Sequence, residues 1–373
     1  MRALVSAAAA AVVLLTAASC GGGGRPSGDV LVTAERLFDG TAFHEPGAVL
    51  VRGGEVVAVG GSLHADAPRT IALGDATILP GFVDLHAHLQ AGMLHGGVTT
   101  VRNLGAPLPE LRRVGREDGL RVLRAGPILS VAGGYPSTVF PPDLALNVRG
   151  PGDARSAVRM LARRGAAVIK ISLNSDWGLW PMLSVAEVRA IVSEAHRRGL
   201  AVTAHAVGPD GVRRALAGGV DELAHMPCGA LDDQIRTIVA RQIPVVATLH
   251  VEQLAFGGCQ AVALRLVALG GELLYGSDVG NRGIPLGIDV AELRLLEEAG
   301  LTPVEVLAAA TSRAGAELGL APLGTLAAGA PADVVVVRGD ARRLGSALAS
   351  PLLVVAGGRV VAGPPTGQKS TDR

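Results

Sequence analysis

Aromatic residues are scarce. Five Phe, two Trp and two Tyr make up 2% of 373 residues. The core must therefore pack mostly with aliphatic side chains. Charge is scarce too: charged residues are 18% of the chain, and the formal net charge is +1. That balance leaves no basic footprint for nucleic acid. Cysteine is limited to Cys20, Cys228 and Cys259. The apolar run from Ala3 to Ala18 is short for a membrane span. What remains is a chain rich in Ala, Gly and Val, long enough for a barrel-type domain with a small accessory domain.

The N-terminus carries a charged Arg2, the apolar run, then Ser19, Cys20 and a Gly run. This order describes an export signal. "TAASCGGGG" resembles a bacterial lipobox with Cys20 as the lipidated residue, although Ala17 stands where Leu, Val or Ile is usual. The expectation is a signal peptide over 1–20 and a tether over 21–28. Membrane contact is then through an N-terminal lipid anchor alone, on the extracytoplasmic side. Export permits a Cys228–Cys259 disulfide, but two residues do not establish one. Buried free thiols are at least as well supported.

Short strands are expected over residues 29–79, with a hairpin signal at Gly53-Gly54 in "LVRGGEVVAVG". The device returns at Gly357-Gly358 in "LLVVAGGRVVAG". Residues 29–79 and 321–362 are thus expected to form one small β-sandwich domain from both chain ends, with a disordered tail over 363–373. Residues 80–320 alternate strand-like runs with helical patterns, which predicts a (β/α)8 TIM-type barrel and an α/β fold. Ser184 with Glu187, and Thr302 with Glu305, have capping-box spacing. Few residues follow His88 before the next strand, so the first helix should be stunted.

"LPGFVDLHAHL" ends a strand with two histidines. Side chains alternate along a strand, so His86 and His88 share a face. At a barrel rim they make a rigid mount for two convergent nitrogens, and imidazole is the commonest side-chain metal ligand. "AAVIKISL" places Lys170 inside a strand, where burial favours the neutral amine. "VTAHAV" ends with His205, "ELAHM" with His225, and "LLYGSDVG" with Asp278. Each alone is bland; the series on strands one, four, five, six and eight is not.

That series resembles the amidohydrolase superfamily. "LPGFVDLHAHL" is similar to its first-strand signature. "GGVTTVRNLG" is similar to its second-strand motif, with Asn103 where the family more often has Asp. "LGTLAAGAPADVVVV" resembles its return into the accessory domain. The imidazolonepropionase-like and prolidase-like members, which act on amides and dipeptides, are nearest. The resemblance implies two divalent metal ions, with zinc favoured and manganese or iron compatible. His86, His88 and Asp278 would hold one and His205 and His225 the other, bridged by a carbamate on Lys170. It implies attack by a metal-bridging hydroxide on a C–N bond, with Asp278 shuttling the proton. The expected substrate is a small amide, dipeptide or cyclic amide, and a homo-oligomer is compatible.

Softer candidates surround this set. Tyr135 could donate to the developing oxyanion. His250, read as ending strand seven, could act in catalysis or contact substrate. Trp177 and Trp180 could wall the pocket. Arg282 could bind a substrate carboxylate. A lactonase or esterase on the same centre is the first alternative. A deaminase is the next, opposed by Gly208, where such enzymes commonly carry Glu, and by Lys170. A non-catalytic binding lipoprotein is the last.

Overall fold

The structure is a computed structural model that describes residues 29–61, 63, 69–175 and 178–363. The expected signal peptide with Cys20, the tether, Trp177 and the tail from residue 364 lie outside the described residues. Among the described residues, no helix is long and apolar enough to cross a membrane.

Two sheets are built from the chain ends. Val30–Ala34 pairs antiparallel with Gly47–Arg52 and parallel with Arg69–Ala72. Gly47–Arg52 turns into Glu55–Gly60 through Gly53 and Gly54, both at positive φ, as the hairpin signal requires. The second sheet sets Ala76–Pro80 antiparallel to Val334–Arg338, and so joins the two ends of the chain. Leu353–Ala356 and Arg359–Ala362 extend it through the Gly357-Gly358 turn. The two sheets share a buried cluster that includes Val32, Val49, Ile78, Val334, Val336 and Val355. β-branched residues suit these half-buried, pleated surfaces.

Parallel strands fill the middle. Phe82–Ala87, Val98–Asn103 and Leu120–Arg124 lie side by side. A seven-stranded sheet contains, in order, Ala145–Asn147, Ile128–Ser130, Ile169–Ser172, Val202–His205, Glu222–Leu223, Val245–Val246 and Leu273–Leu274. Backbone bonds link the two groups. Ala167 N–H donates to the Arg124 carbonyl at 2.8 Å, and Leu85 N–H donates to the Tyr275 carbonyl at 3.3 Å. Parallel neighbours need crossover connections. Gly150–Arg164, Val185–His196, Pro209–Gly218 and Asp232–Ala240 supply four of them. Both expected capping boxes form, at Ser184 and Thr302. The first connection holds only the 3-10 turn Met93–Gly96, the stunted helix expected there.

Three expectations change. The run "RVLRAGPILSV", strand-like in sequence and expected as one strand, is two, Leu120–Arg124 and Ile128–Ser130, with Gly126 at φ 77° between them. Strands six, seven and eight contain only Glu222–Leu223, Val245–Val246 and Leu273–Leu274, so His225 and Asp278 project from the segments beyond the strands. His250 does not end a strand at all. It sits in the first turn of the helix Leu249–Phe256.

Candidate metal and active site

Six expected ligand residues come together. His86, His88, Lys170, His205, His225 and Asp278 all line one cavity of about 300 Å³. Ligand atoms of His86, His88 and Asp278 lie within 4.8 Å of one another. The His225 ring lies 4.4 Å from that of His86 and 4.3 Å from that of His205, centroid to centroid. The parallel strands bring these groups together from positions almost two hundred residues apart in sequence. The strand pitch also keeps His86 and His88 on one side.

Hydrogen bonds aim several of these rings. His86 Nδ1 donates to the Ala224 carbonyl at 2.6 Å, which leaves Nε2 facing Asp278 Oδ1 at 3.4 Å. His88 Nε2 is 3.2 Å from the same oxygen. His225 Nδ1 lies 3.0 Å from the Thr248 hydroxyl and 3.5 Å from Glu252 Oε1. Lys170 Nζ and His205 Nε2 are buried without a hydrogen-bond partner, and Asp278 Oδ1 has only the two imidazole nitrogens beside it. Buried polar atoms of that kind are costly unless something completes them.

The electrostatics suit ligands. Burial holds His205 at about 3 and keeps His86 and His225 well below the ordinary histidine range, so all three are neutral donors. Burial also brings the Lys170 amine down to about 7, although Asp278 pulls the other way. Burial opposes ionisation of Asp278, yet His86, His88 and Lys170 hold its carboxyl well below the usual range. Asp278 adopts φ 55°, an uncommon conformation for a non-glycine residue.

Supporting residues had escaped the sequence reading. Asp84 is wholly buried. Its Oδ1 accepts the backbone N–H groups of His86 and Ser277, and its Oδ2 accepts the Ser277 hydroxyl. One carboxyl therefore ties the HxH strand to the segment carrying Asp278. An acid inside an apolar strand was its only signal. Thr248 is buried at φ 47°, which is rare for a β-branched residue. Glu252 is buried, and burial, helped by Asp278, pushes its carboxyl up to about 8.

The softer candidates divide. Tyr135 lines the cavity, its ring 4.7 Å from that of His205 and stacked at 5.8 Å on Trp180. Burial pushes its phenol above the ordinary range, so it stays protonated. Trp180 backs Tyr135 rather than lining the cavity. His250 is not in the wall. Its Nδ1 is 2.6 Å from Asp289 Oδ2, and its N–H donates to Glu292. Arg282 is exposed and outside the wall. Cys228 and Cys259 are joined by a disulfide, the pairing that the sequence left open; their Cα atoms are 5.1 Å apart.

A sequence model of the Amidohydrolase family matches residues 77–363. The chain belongs to the amidohydrolase family. This amidohydrolase is 28% identical over 330 residues to adenine deaminase of Deinococcus radiodurans, covering 78% of this chain and 55% of that protein. It is also 28% identical over 378 residues to imidazolonepropionase of Symbiobacterium thermophilum, covering 78% and 83%. Among solved structures, a Xaa-Pro dipeptidase with bound methionine aligns with a TM-score of 0.79 at 22% identity, over 90% of this chain and 100% of that one. Such neighbours imply a TIM-type barrel, and membership makes the chain a hydrolase of a metal-binding family.

Proposed function

We propose that this amidohydrolase cleaves a C–N bond in a small amide, dipeptide or cyclic amide at a site for two divalent cations, zinc favoured. One observation carries the reading: six donor side chains converge in one cavity, and two of them, Lys170 and His205, keep buried nitrogens with no hydrogen-bond partner. His86, His88 and Asp278 suit one cation, and His205 and His225 suit the other. Lys170 suits the bridge as its carbamate, formed when the neutral amine adds to carbon dioxide and releases a proton. Its amine, brought down to about 7, is neutral often enough near neutral pH to react.

Divalent cations there would polarise the substrate carbonyl and lower the pKa of water. The rest falls to the chain's own groups. Asp278, ionised in the resting protein, accepts a proton at its carboxylate and returns it to the leaving nitrogen. Tyr135, held protonated beside His205, donates towards the carbonyl oxygen. Asp84 keeps the two arms of the site in register. The adenine deaminase relative raises deamination, but Gly208 leaves that reading without its usual glutamate. The same centre would serve a lactone or ester.

The proposal extends to the frame. The parallel strands are read as a (β/α)8 barrel over 80–320 and the terminal sheets as a β-sandwich over 29–79 and 321–362. The N-terminus is read as a lipoprotein signal ending at Cys20.

The test is metal content of protein produced with zinc and bicarbonate, beside a Lys170→Ala variant. About two metals per chain, falling sharply in the variant, is the expected result. One or none, unchanged without Lys170, would overturn the two-cation site. Hydrolysis is then read on a panel of amides and dipeptides.

A further inference from the structure

Nine aromatic side chains serve the whole chain, yet three gather at this cavity. Tyr135 is clamped between the rings of His205 and Trp180. Phe140 lines the cavity and meets Tyr135 edge-on at 6.0 Å and 83°, yet remains 40% exposed. Its neighbour Val139 is 56% exposed, and Leu179, beside Trp180, is 77% exposed. A core short of rings has placed them where they contribute little to its own packing. An apolar surface of this kind marks something still to be covered.

The wall beyond the ligand residues adds Leu104, Ile128, Pro136 and Leu144, with the neutral amides of Gln90, Asn103 and Asn281 beside them. Among the described residues of that wall outside the ligand set, the one charged group is Glu110, an exposed carboxylate. Arg282, the cation expected to meet a substrate carboxylate, is exposed and does not line the cavity. A carboxylate seated here would meet apolar carbon, the neutral amides of Gln90, Asn103 and Asn281, and a like charge, with no cation among the described wall residues outside the ligand set to offset its desolvation. An aromatic or branched aliphatic group would cover Phe140 and its neighbours and lose nothing polar.

We infer that the cavity selects amides whose seated group is aromatic or branched aliphatic and carries no carboxylate. The substrate would then be a neutral or cationic amide rather than a free dipeptide. This rests on the C–N hydrolase reading only for the word amide; the selection by the wall stands on the side chains themselves.

Phenylalanyl-proline and phenylalanyl-pyrrolidide share a scissile bond and differ by one carboxylate. With the zinc-loaded full chain, kcat/KM is compared for the pair, and calorimetry gives Kd for the same two molecules where neither turns over. The pyrrolidide should be favoured by about tenfold or more in either readout. Parity, a preference for the proline member, or binding of neither would overturn the inference. A retained preference without any hydrolysis would support the wall's assignment and count against the hydrolase reading alone. Phe140→Ala should weaken the pyrrolidide about tenfold at unchanged zinc content. No effect at unchanged zinc would overturn the role of the ring. Glu110→Gln should improve the proline member alone, and equal changes in both members would remove Glu110 from the argument.

Discussion

Glu252 Oε1 stands 3.5 Å from Nδ1 of His225. The two belong to different segments. His225 follows the strand Glu222–Leu223, and Glu252 lies in the helix Leu249–Phe256. The carboxyl and the Thr248 hydroxyl together leave His225 Nε2 as the nitrogen free for a ligand. Such partners fix the tautomer and angle of a ligating imidazole, and losing one typically costs about 10–100-fold in metal affinity. Glu252→Ala should therefore lower metal affinity on that scale. Glu252→Gln, which keeps an acceptor oxygen, should recover most of it. Metal titration of both variants is the check. Equal losses in both would mean that charge, not orientation, matters.

The Cys228–Cys259 disulfide closes a loop of 31 residues around the same helix. The loop begins three residues after His225. Cross-linking restricts the unfolded chain, and a loop of this length is worth about 4 kcal/mol. The double Cys→Ser variant should lose roughly that much unfolding free energy. It should also release metal more readily, because Thr248 and Glu252 both lie inside the loop. Denaturant unfolding and metal-release rates test the two effects separately. Loss of stability with unchanged metal release would confine the bond to a structural role.

Much of this site could be read from sequence because strands obey a strict period. His86 and His88 two apart, Lys170 among apolar neighbours and His205 at a strand end are local facts. So were the capping residues Ser184 and Thr302, whose partners lie three residues away. What escaped was non-local. Asp84 finds Ser277 across 193 residues, and no periodicity announces it. Glu252 reads as an ordinary helical acid until the helix is packed beside His225. His250 looked like a strand end because "PVVATLHV" is mostly apolar and β-branched, but the chain turns helical at Leu249. Short apolar runs do not distinguish a strand from a buried helix start.

Gly276 packs closely between the HxH strand and Val246. A Cβ there would lie 2.4 Å from Val246 Cγ1 and 2.9 Å from His86 Cβ. The Val246 side chain is wholly buried and has little room to yield. Gly276→Ala should thus push the HxH strand away from the Asp278 segment. The expected cost is about 1–3 kcal/mol in stability, together with weaker metal binding. Zinc titration beside thermal unfolding measures both. An alanine variant with full affinity would show that the two segments can separate without harm.

Glu292 gives the protein a pH dependence that does not involve the metal ligands. It is wholly buried, and burial pushes its carboxyl up from the ordinary 4.5 to about 8, although it accepts the His250 N–H. An unfolded chain ionises this group near 4.5, whereas the folded chain keeps the proton until about 8. Its contribution to stability is therefore complete in acid and is lost as the pH climbs through that window. Glu292→Gln keeps an acceptor for the His250 N–H and removes the titration. The variant should match the parent's pH trend below pH 4. Above that it should gain on the parent by up to about 1.4 kcal/mol per pH unit until about pH 8. Urea unfolding of both proteins at pH 4, 6 and 8 reads this directly. Parallel stability profiles would mean that the carboxyl is already ionised in the fold, and that the His250 and Leu249 amides outweigh its burial.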